Sequence, residues 1–355
     1  MRIAQVAPLY ESVPPKKYGG TERVVSWLTE ELVQLGHEVT LFASGDSMTK
    51  ARLIPICAES LRMSASPRDA IAHHMVMLER VRQQRDDFDL VHFHIDYLHF
   101  PLSRCARLLN LTTLHGRLDL EDLKPVYAEF CEMPVVSISD AQRRPLHFAH
   151  WEGTVYHGLP VGLYEPRYQP GRHLAFLGRT SPEKGLEDAI AVSKLTGVPL
   201  KIAAKVDAVD REYFTARIKP LLDPPVVEFL GEIGYGEKKE FLRNASALLF
   251  PVQWPEPFGI AMIEAMACGT PVIAYPRGSV PEVIRDGVNG LVVTDVAAAA
   301  QAVADIKKLD RRKCRAYFEE NFTSRRMAAD YLSIYQRIAG ENPEPVRISD
   351  GVRVD

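Results

Sequence analysis

The sequence predicts two doubly wound α/β domains facing a cleft. Three observations carry this. Short apolar runs alternate with longer amphipathic stretches along the whole chain. The alternation pauses once, at residues 158–172, where Pro160, Pro166 and Pro170 gather with several glycines, and restarts at His173. Each side of this linker then has about 160 residues, the size of one domain.

In the first half, strands are expected at 2–7, 38–43, 53–57, 89–94, 111–115, 135–139 and 154–156. In the second they are expected at 174–178, 200–204, 226–230, 247–251, 272–275 and 291–293. These runs are short and almost wholly apolar, so they read as strands buried on both faces of a parallel sheet. Helical patterns fall between them at 21–35, 68–85, 184–195 and 260–268, as crossovers require, and a last one spans 325–338. The expected division is 1–165, then 173–324, with a polar, aperiodic tail at 341–355.

Composition removes several classes. Apolar residues make up 46% and charged residues 25%, which excludes bulk disorder. A net charge of -3 argues against a bulk nucleic-acid binder, which needs a basic excess to meet phosphate. No run approaches the roughly 20 apolar residues that span a bilayer. The start reads as a strand rather than a signal peptide. Five scattered cysteines without a CxxC pair fit buried free thiols in a reducing cytoplasm.

Three constellations carry chemistry. Tyr18-Gly19-Gly20-Thr21-Glu22 follows the first strand and opens a helix. Its glycines let backbone approach a ligand, the helix start offers free amides to an anion, and Thr21 can serve as N-cap. A plain strand-to-helix turn is the competing reading, and no GxGxxG fingerprint occurs to favour a dinucleotide. Next, Arg179 and Lys184 bracket a turn at the carboxyl end of a strand, where open α/β sheets bind ligands. Two cations there can neutralise a diphosphate; ordinary solvated charges are the alternative.

The third runs from Pro251 to Pro271. A strand ends, a proline-rich loop follows, Gly259 opens a helix and Gly269 closes it. Glu256 and Glu264 are eight residues apart and return to one helix face. Glu264 sits among Ile, Ala and Met, where a charge is costly without a partner. A sugar or ribose diol supplies one, since carboxylates accept hydroxyl hydrogen bonds. Two surface glutamates are the plainer reading. His115, at a strand end, can contact a substrate hydroxyl. His92, His94 and Asp96 alternate along a strand and can either bind a metal or line the cleft without one.

Together these residues resemble the retaining glycosyltransferases of family 4, which have the GT-B fold. Gly269-Thr270-Pro271-Val272 and Gly278-Ser279-Val280-Pro281-Glu282 are similar to that family's downstream signature. The resemblance implies a cytoplasmic enzyme moving a hexose from a nucleotide-diphosphate sugar, of UDP-sugar or GDP-mannose type, to a hydroxyl acceptor. It implies no tightly bound cofactor and no metal. Arg179 and Lys184 would bind the diphosphate, and Gly19 and Gly20 would lie near it. Glu256 would approach the transferred sugar, beside the amides of Phe258, Gly259 and Ile260, and His115 would touch that sugar. Glu264 would bind the ribose. The base is expected near Glu232 and Ile233. Lys205 adds a cation where the family often has a glycine-rich turn. The last helix, 325–340, would return to the first domain. Acceptor loops would fall at 45–85 and 118–131, where no motif occurs, and the basic residues near Arg80 are offset by Asp86, Asp87 and Asp89. A nucleotide-sugar epimerase on the same scaffold and a non-catalytic nucleotide-sugar binding protein are the alternatives.

Overall fold

The computed structural model describes residues 1–16, 19–64 and 68–340. Tyr18 of the glycine loop and the tail at 341–355 lie outside the described residues.

The apolar runs form two wholly parallel sheets. The first contains β1 (Arg2–Val6), β2 (Glu38–Ala43), β3 (Arg52–Pro55), β4 (Leu90–Phe93), β5 (Asn110–Thr113), β6 (Pro134–Ser137) and β7 (His150–Thr154), in the order β3-β2-β1-β4-β5-β6-β7. The second contains β8 (His173–Arg179), β9 (Leu200–Lys205), β10 (Val227–Gly231), β11 (Ala245–Phe250), β12 (Val272–Ala274) and β13 (Gly290–Val292), in the order β10-β9-β8-β11-β12-β13. The central strands are almost wholly buried because crossover helices cover both faces. In each sheet the winding reverses at its first strand, and a crevice opens at the carboxyl ends there. The two crevices face each other. This is the GT-B fold of two Rossmann-like domains.

Three local expectations are corrected. The last strand of the first half is β7, ending at Thr154, rather than 154–156. It is a sheet edge, so His150 and Glu152 are tolerated and the apolar signal fades. Thr21 is not an N-cap: the helix is Gly20–Gln34 with Gly19 at the cap and no capping side chain. The helix expected from 184 begins at Leu186, and Lys184 lies in a preceding 3-10 turn.

The final helix, Ser324–Ile338, packs on the first sheet. Arg326 donates to the Tyr156 and His157 carbonyls, and Arg337 reaches Glu152. One apolar cluster joins Ile3 and Leu111 of the first sheet, Leu28 of the helix Gly20–Gln34, Tyr331 of the final helix, and Met262 and Ile263 of the helix Ile260–Ala267. The two halves therefore share buried surface beneath the cleft. Glu282 adds a polar tie: its carboxylate accepts from the backbone amides of Asp140 (2.7 Å) and Ala141 (2.8 Å) and from the Tyr156 hydroxyl (3.0 Å).

The cysteine expectation holds only in part. Cys268 and Cys314 are buried, but Cys105 and Cys131 are exposed.

Candidate active site

A cleft of about 850 Å³ lies between the sheets. Segments following β1 and β3 to β7 line one wall, and β8 to β11 with the segments that follow them line the other. All thirteen residues singled out by sequence reach it: Gly19, Gly20, His115, Arg179, Lys184, Lys205, Glu232, Ile233, Glu256, Phe258, Gly259, Ile260 and Glu264.

The two glutamates share one arrangement. Glu256 Oε2 accepts from Lys184 Nζ at 2.5 Å and Trp254 Nε1 at 2.8 Å. Glu264 Oε1 accepts from Lys238 Nζ at 2.7 Å and the Tyr164 hydroxyl at 2.8 Å. In each, a lysine and an aromatic donor anchor one oxygen. The other oxygen has no hydrogen-bond partner among the described residues. Both residues are buried yet line the cleft, so each presents one open acceptor to a ligand. Beside Glu264, burial and the carboxylate charge push the Tyr164 phenol well above its ordinary value, so it stays a donor.

The downstream signature explains the placement of Glu256. Gly278 has φ 57, and a Cβ there would fall 2.3 Å from the Glu256 carbonyl oxygen and 2.4 Å from its amide nitrogen. Only glycine admits this approach. Ser279 completes the contact, its amide donating to the Glu256 carbonyl at 2.9 Å and its hydroxyl to the Phe258 carbonyl at 2.8 Å.

On the second wall the cations Arg179, Lys184, Lys205 and Lys238 are all paired. Arg179 meets Glu183 at 2.6 Å and Asp210 at 3.0 Å, and Lys205 meets Asp207 at 2.8 Å. Arg179 keeps about a third of its side chain exposed, so this pairing is exchangeable. Across the cleft, a Cβ on Gly20 would sit 3.7 Å from Ile260 Cδ1, which measures how closely the walls approach.

On the first wall, His92 and His94 point into the domain rather than toward a common metal position. His92 bonds Tyr335 at 2.7 Å and Thr113 at 2.8 Å; His94 bonds His115 at 2.9 Å and Gln5 at 2.8 Å. All four ring nitrogens are thus committed, and no group of metal-ligating side chains occurs among the described residues. Asp96 instead lines the cleft at its rim. Its backbone is left-handed (φ 52), and the residue is exposed to solvent. Of the two stretches expected to hold acceptor loops, 45–85 supplies Arg62, Ile71 and His74, whereas 118–131 supplies nothing to the cleft lining.

This geometry agrees with the family models. Residues 18–153 match Glycosyltransferase Family 4, and residues 165–325 match Glycosyl transferases group 1. The chain is a group 1 glycosyltransferase. It is 27% identical over 342 residues to an uncharacterized glycosyltransferase, MJ1607, of Methanocaldococcus jannaschii, covering 82% of this chain and 85% of that one. It is 26% identical over 385 residues to the phosphatidyl-myo-inositol mannosyltransferase of Mycolicibacterium smegmatis, covering 96% and 95%. Among solved structures, sucrose-phosphate synthase from Thermosynechococcus elongatus superposes with a TM-score of 0.78 at 19% identity, covering 96% and 99%. The Anabaena protein HepE, in complex with UDP and glucose, gives 0.72 at 18%, covering 96% and 98%.

Several residues of this glycosyltransferase cleft escaped the sequence reading. Lys238 lies on an exposed-looking helix, Tyr164 in the linker and Trp254 in the proline loop. Each shows its role only through its glutamate. Arg23 and Arg62 also line the cleft, and neither sits in a motif.

Proposed function

We propose that this glycosyltransferase moves a hexose from a nucleotide-diphosphate sugar to a hydroxyl acceptor with retention at the anomeric carbon. The observation that carries the reading is the pair of anchored glutamates with one open oxygen each, eight residues apart in one cleft and beside Arg179 and Lys184. Glu264 takes the ribose hydroxyls, and Glu256 faces the transferred sugar beside Phe258, Gly259 and Ile260. Arg179 and Lys184, with Lys205 behind them, take the diphosphate, close to Gly19 and Gly20. Glu232 and Ile233 face the base. HepE, a relative in fold, is known in complex with UDP and with UDP-glucose, which supports a nucleotide-sugar donor here. The domain that binds it runs from 173 to 324; residues 1–165 and the last helix form the acceptor side.

In the reaction the bond between the anomeric carbon and the phosphate oxygen breaks, and the diphosphate leaves with the electron pair. The acceptor oxygen bonds to the same carbon on the same face and gives its proton to the departing phosphate. Arg179 and Lys184 stabilise the charge that develops on that phosphate. No metal takes part in this scheme.

Thermal-shift measurements with UDP-, GDP- and ADP-sugars test the reading. A matching donor at 100 times its dissociation constant stabilises by about 2.7 kcal/mol, and release of its nucleoside diphosphate with an acceptor panel follows. No shift with any donor would remove the proposal.

A further inference from the structure

Beneath His115 lies a closed run of buried hydrogen bonds. His115 Nε2 meets His94 Nδ1 at 2.9 Å, and His94 Nε2 meets Gln5 Oε1 at 2.8 Å. Gln5 Nε2 meets the Tyr335 hydroxyl at 3.2 Å, and that hydroxyl meets His92 Nδ1 at 2.7 Å. His92 Nε2 then reaches Thr113 Oγ1 at 2.8 Å, and Thr113 meets the Tyr331 hydroxyl at 2.8 Å. Gln5 and Tyr335 are completely buried. Tyr335 belongs to the helix Ser324–Ile338, far from the cleft in sequence.

Burial holds these rings neutral. It pushes His115 down to about 3 and His92 and His94 well below their ordinary value, and it keeps Tyr335 a protonated phenol. A neutral imidazole has one N–H and one lone pair. Each ring therefore donates on one side and accepts on the other, so the orientation of the Gln5 amide fixes the direction of the bonds at His94 and His115. Two directions are self-consistent, related by turning the Gln5 amide over.

The distances choose between them. If Tyr335 donated to Gln5, the bond would be O–H···O at 3.2 Å, beyond the usual 2.5–3.0 Å, whereas an amide N–H···O at 3.2 Å is ordinary. Tyr335 then donates to His92 across the short 2.7 Å contact. With Gln5 Nε2 on Tyr335, Gln5 Oε1 accepts from His94 Nε2–H. His94 Nδ1 accepts from His115 Nε2–H, and His115 Nδ1 is left as a bare lone pair. That nitrogen is buried with no hydrogen-bond partner among the described residues, and its ring lines the cleft.

We propose that Tyr335 is a positioning residue which, through Gln5 and His94, fixes His115 as a hydrogen-bond acceptor, so that His115 takes the hydrogen of a donor-sugar hydroxyl. A lone pair there repels a carboxylate or phosphate oxygen, so the sugar presents a neutral hydroxyl at this point. The hydroxyl assignment rests on the proposed donor; the tautomer does not.

The test labels the histidines with ¹⁵N and reads, from long-range ¹H–¹⁵N spectra, which ring nitrogen carries hydrogen. The wild-type protein should show His115 protonated on Nε2 alone. Tyr335→Phe, which removes only the hydroxyl, should give a mixture of tautomers at His115 and His94. Tyr331→Phe, one bond further along at Thr113, should leave the His115 tautomer unchanged. A proton on His115 Nδ1 in the wild type overturns the proposal without any variant, and so does an unaltered tautomer in Tyr335→Phe. Adding the sugar donor that stabilises the protein should then shift His115 Nδ1, while UDP or GDP alone should not. A shift with the bare nucleotide would place His115 on the diphosphate and overturn the hydroxyl assignment. Absence of any binding donor would instead fail the proposed function and leave the tautomer result standing.

Discussion

Replacing Glu264 by Gln isolates the proposed ribose contact. The side chain keeps its shape, and its amide oxygen can still accept from Tyr164. What goes is the charge that pairs with Lys238 and the acceptor character of the open oxygen. Lys238 keeps 15% of its side chain exposed, so losing the pair costs about 1–2 kcal/mol of stability, between the values for exposed and buried pairs. Nucleotide binding should suffer more specifically. A hydrogen bond to a charged acceptor contributes about 1.5–3 kcal/mol, so affinity should fall about 10- to 150-fold. Isothermal titration with UDP and GDP measures this, and the 2′-deoxy analogue sharpens it. The analogue should bind the wild type more weakly but bind Glu264→Gln about as well as the parent nucleotide does. A Glu264→Gln affinity within about twofold of wild type, or full additivity of the two changes, would refute the ribose role.

Three further outcomes follow from the same contacts. Lys184→Ala should lower the transfer rate about 10²- to 10³-fold, the cost of one preorganised charge-stabilising group; because Trp254 still anchors Glu256, the fold should survive, and a variant with unchanged turnover would contradict the assignment. Glu282→Ala removes the acceptor shared by the Asp140 and Ala141 amides, so their hydrogen exchange should quicken about tenfold, the worth of a hydrogen bond to a charged group, and unchanged rates would show that the tie is idle. Acid should unfold the protein early. His92, His94, His99 and His157 are buried, His115 is half-buried, and all have folded pKa values below 6.5, so the unfolded chain binds more protons as pH falls through 6.5, and each lost pH unit costs about 1.4 kcal/mol per histidine. Urea midpoints at pH 7 and pH 5 should therefore differ sharply; equal midpoints would show these rings protonated in the fold.

The sheets were legible because a strand buried on both faces must be apolar, and that signal survives in a single sequence. It weakens at edges, which is why β7 was misplaced: Glu152 and His150 answer to Arg337 and the Glu132 carbonyl rather than to a core. The cleft glutamates were legible for the opposite reason. Glu264 is anomalous among Ile, Ala and Met, and an anomaly of charge in an apolar helix announces a partner. The partners themselves were not legible. Lys238 is one of two adjacent lysines in Tyr235–Arg243, and only its approach to Glu264 separates it from Lys239. Gln5 offered a fainter signal, a polar residue inside the first buried strand, with meaning only once His94 and Tyr335 meet it.

The charges around the cleft bear on how a diphosphate enters. Arg23, Arg62, Arg179, Lys184, Lys205 and Lys238 line it, and so do Glu22, Asp96, Glu183, Glu232, Glu256 and Glu264, an even balance of sign. Steering by net positive charge is therefore weak. Discrimination must come from exchange at particular pairs. Arg179 can leave Glu183 for phosphate oxygens at modest cost, because that carboxylate keeps about a third of its side chain exposed, whereas leaving the buried Asp210 costs more. Lys184 is held more firmly, since its one ion-pair partner among the described residues, Glu256, is buried and would be left with Trp254 only. The loss is offset if the sugar brings a hydroxyl to Glu256 as the diphosphate reaches Lys184. A nucleotide without its sugar satisfies the lysine and strands the glutamate; the intact donor satisfies both. Under the proposed function, the Lys184–Glu256 pair should favour the complete donor over its own product, which would help the spent nucleotide to leave.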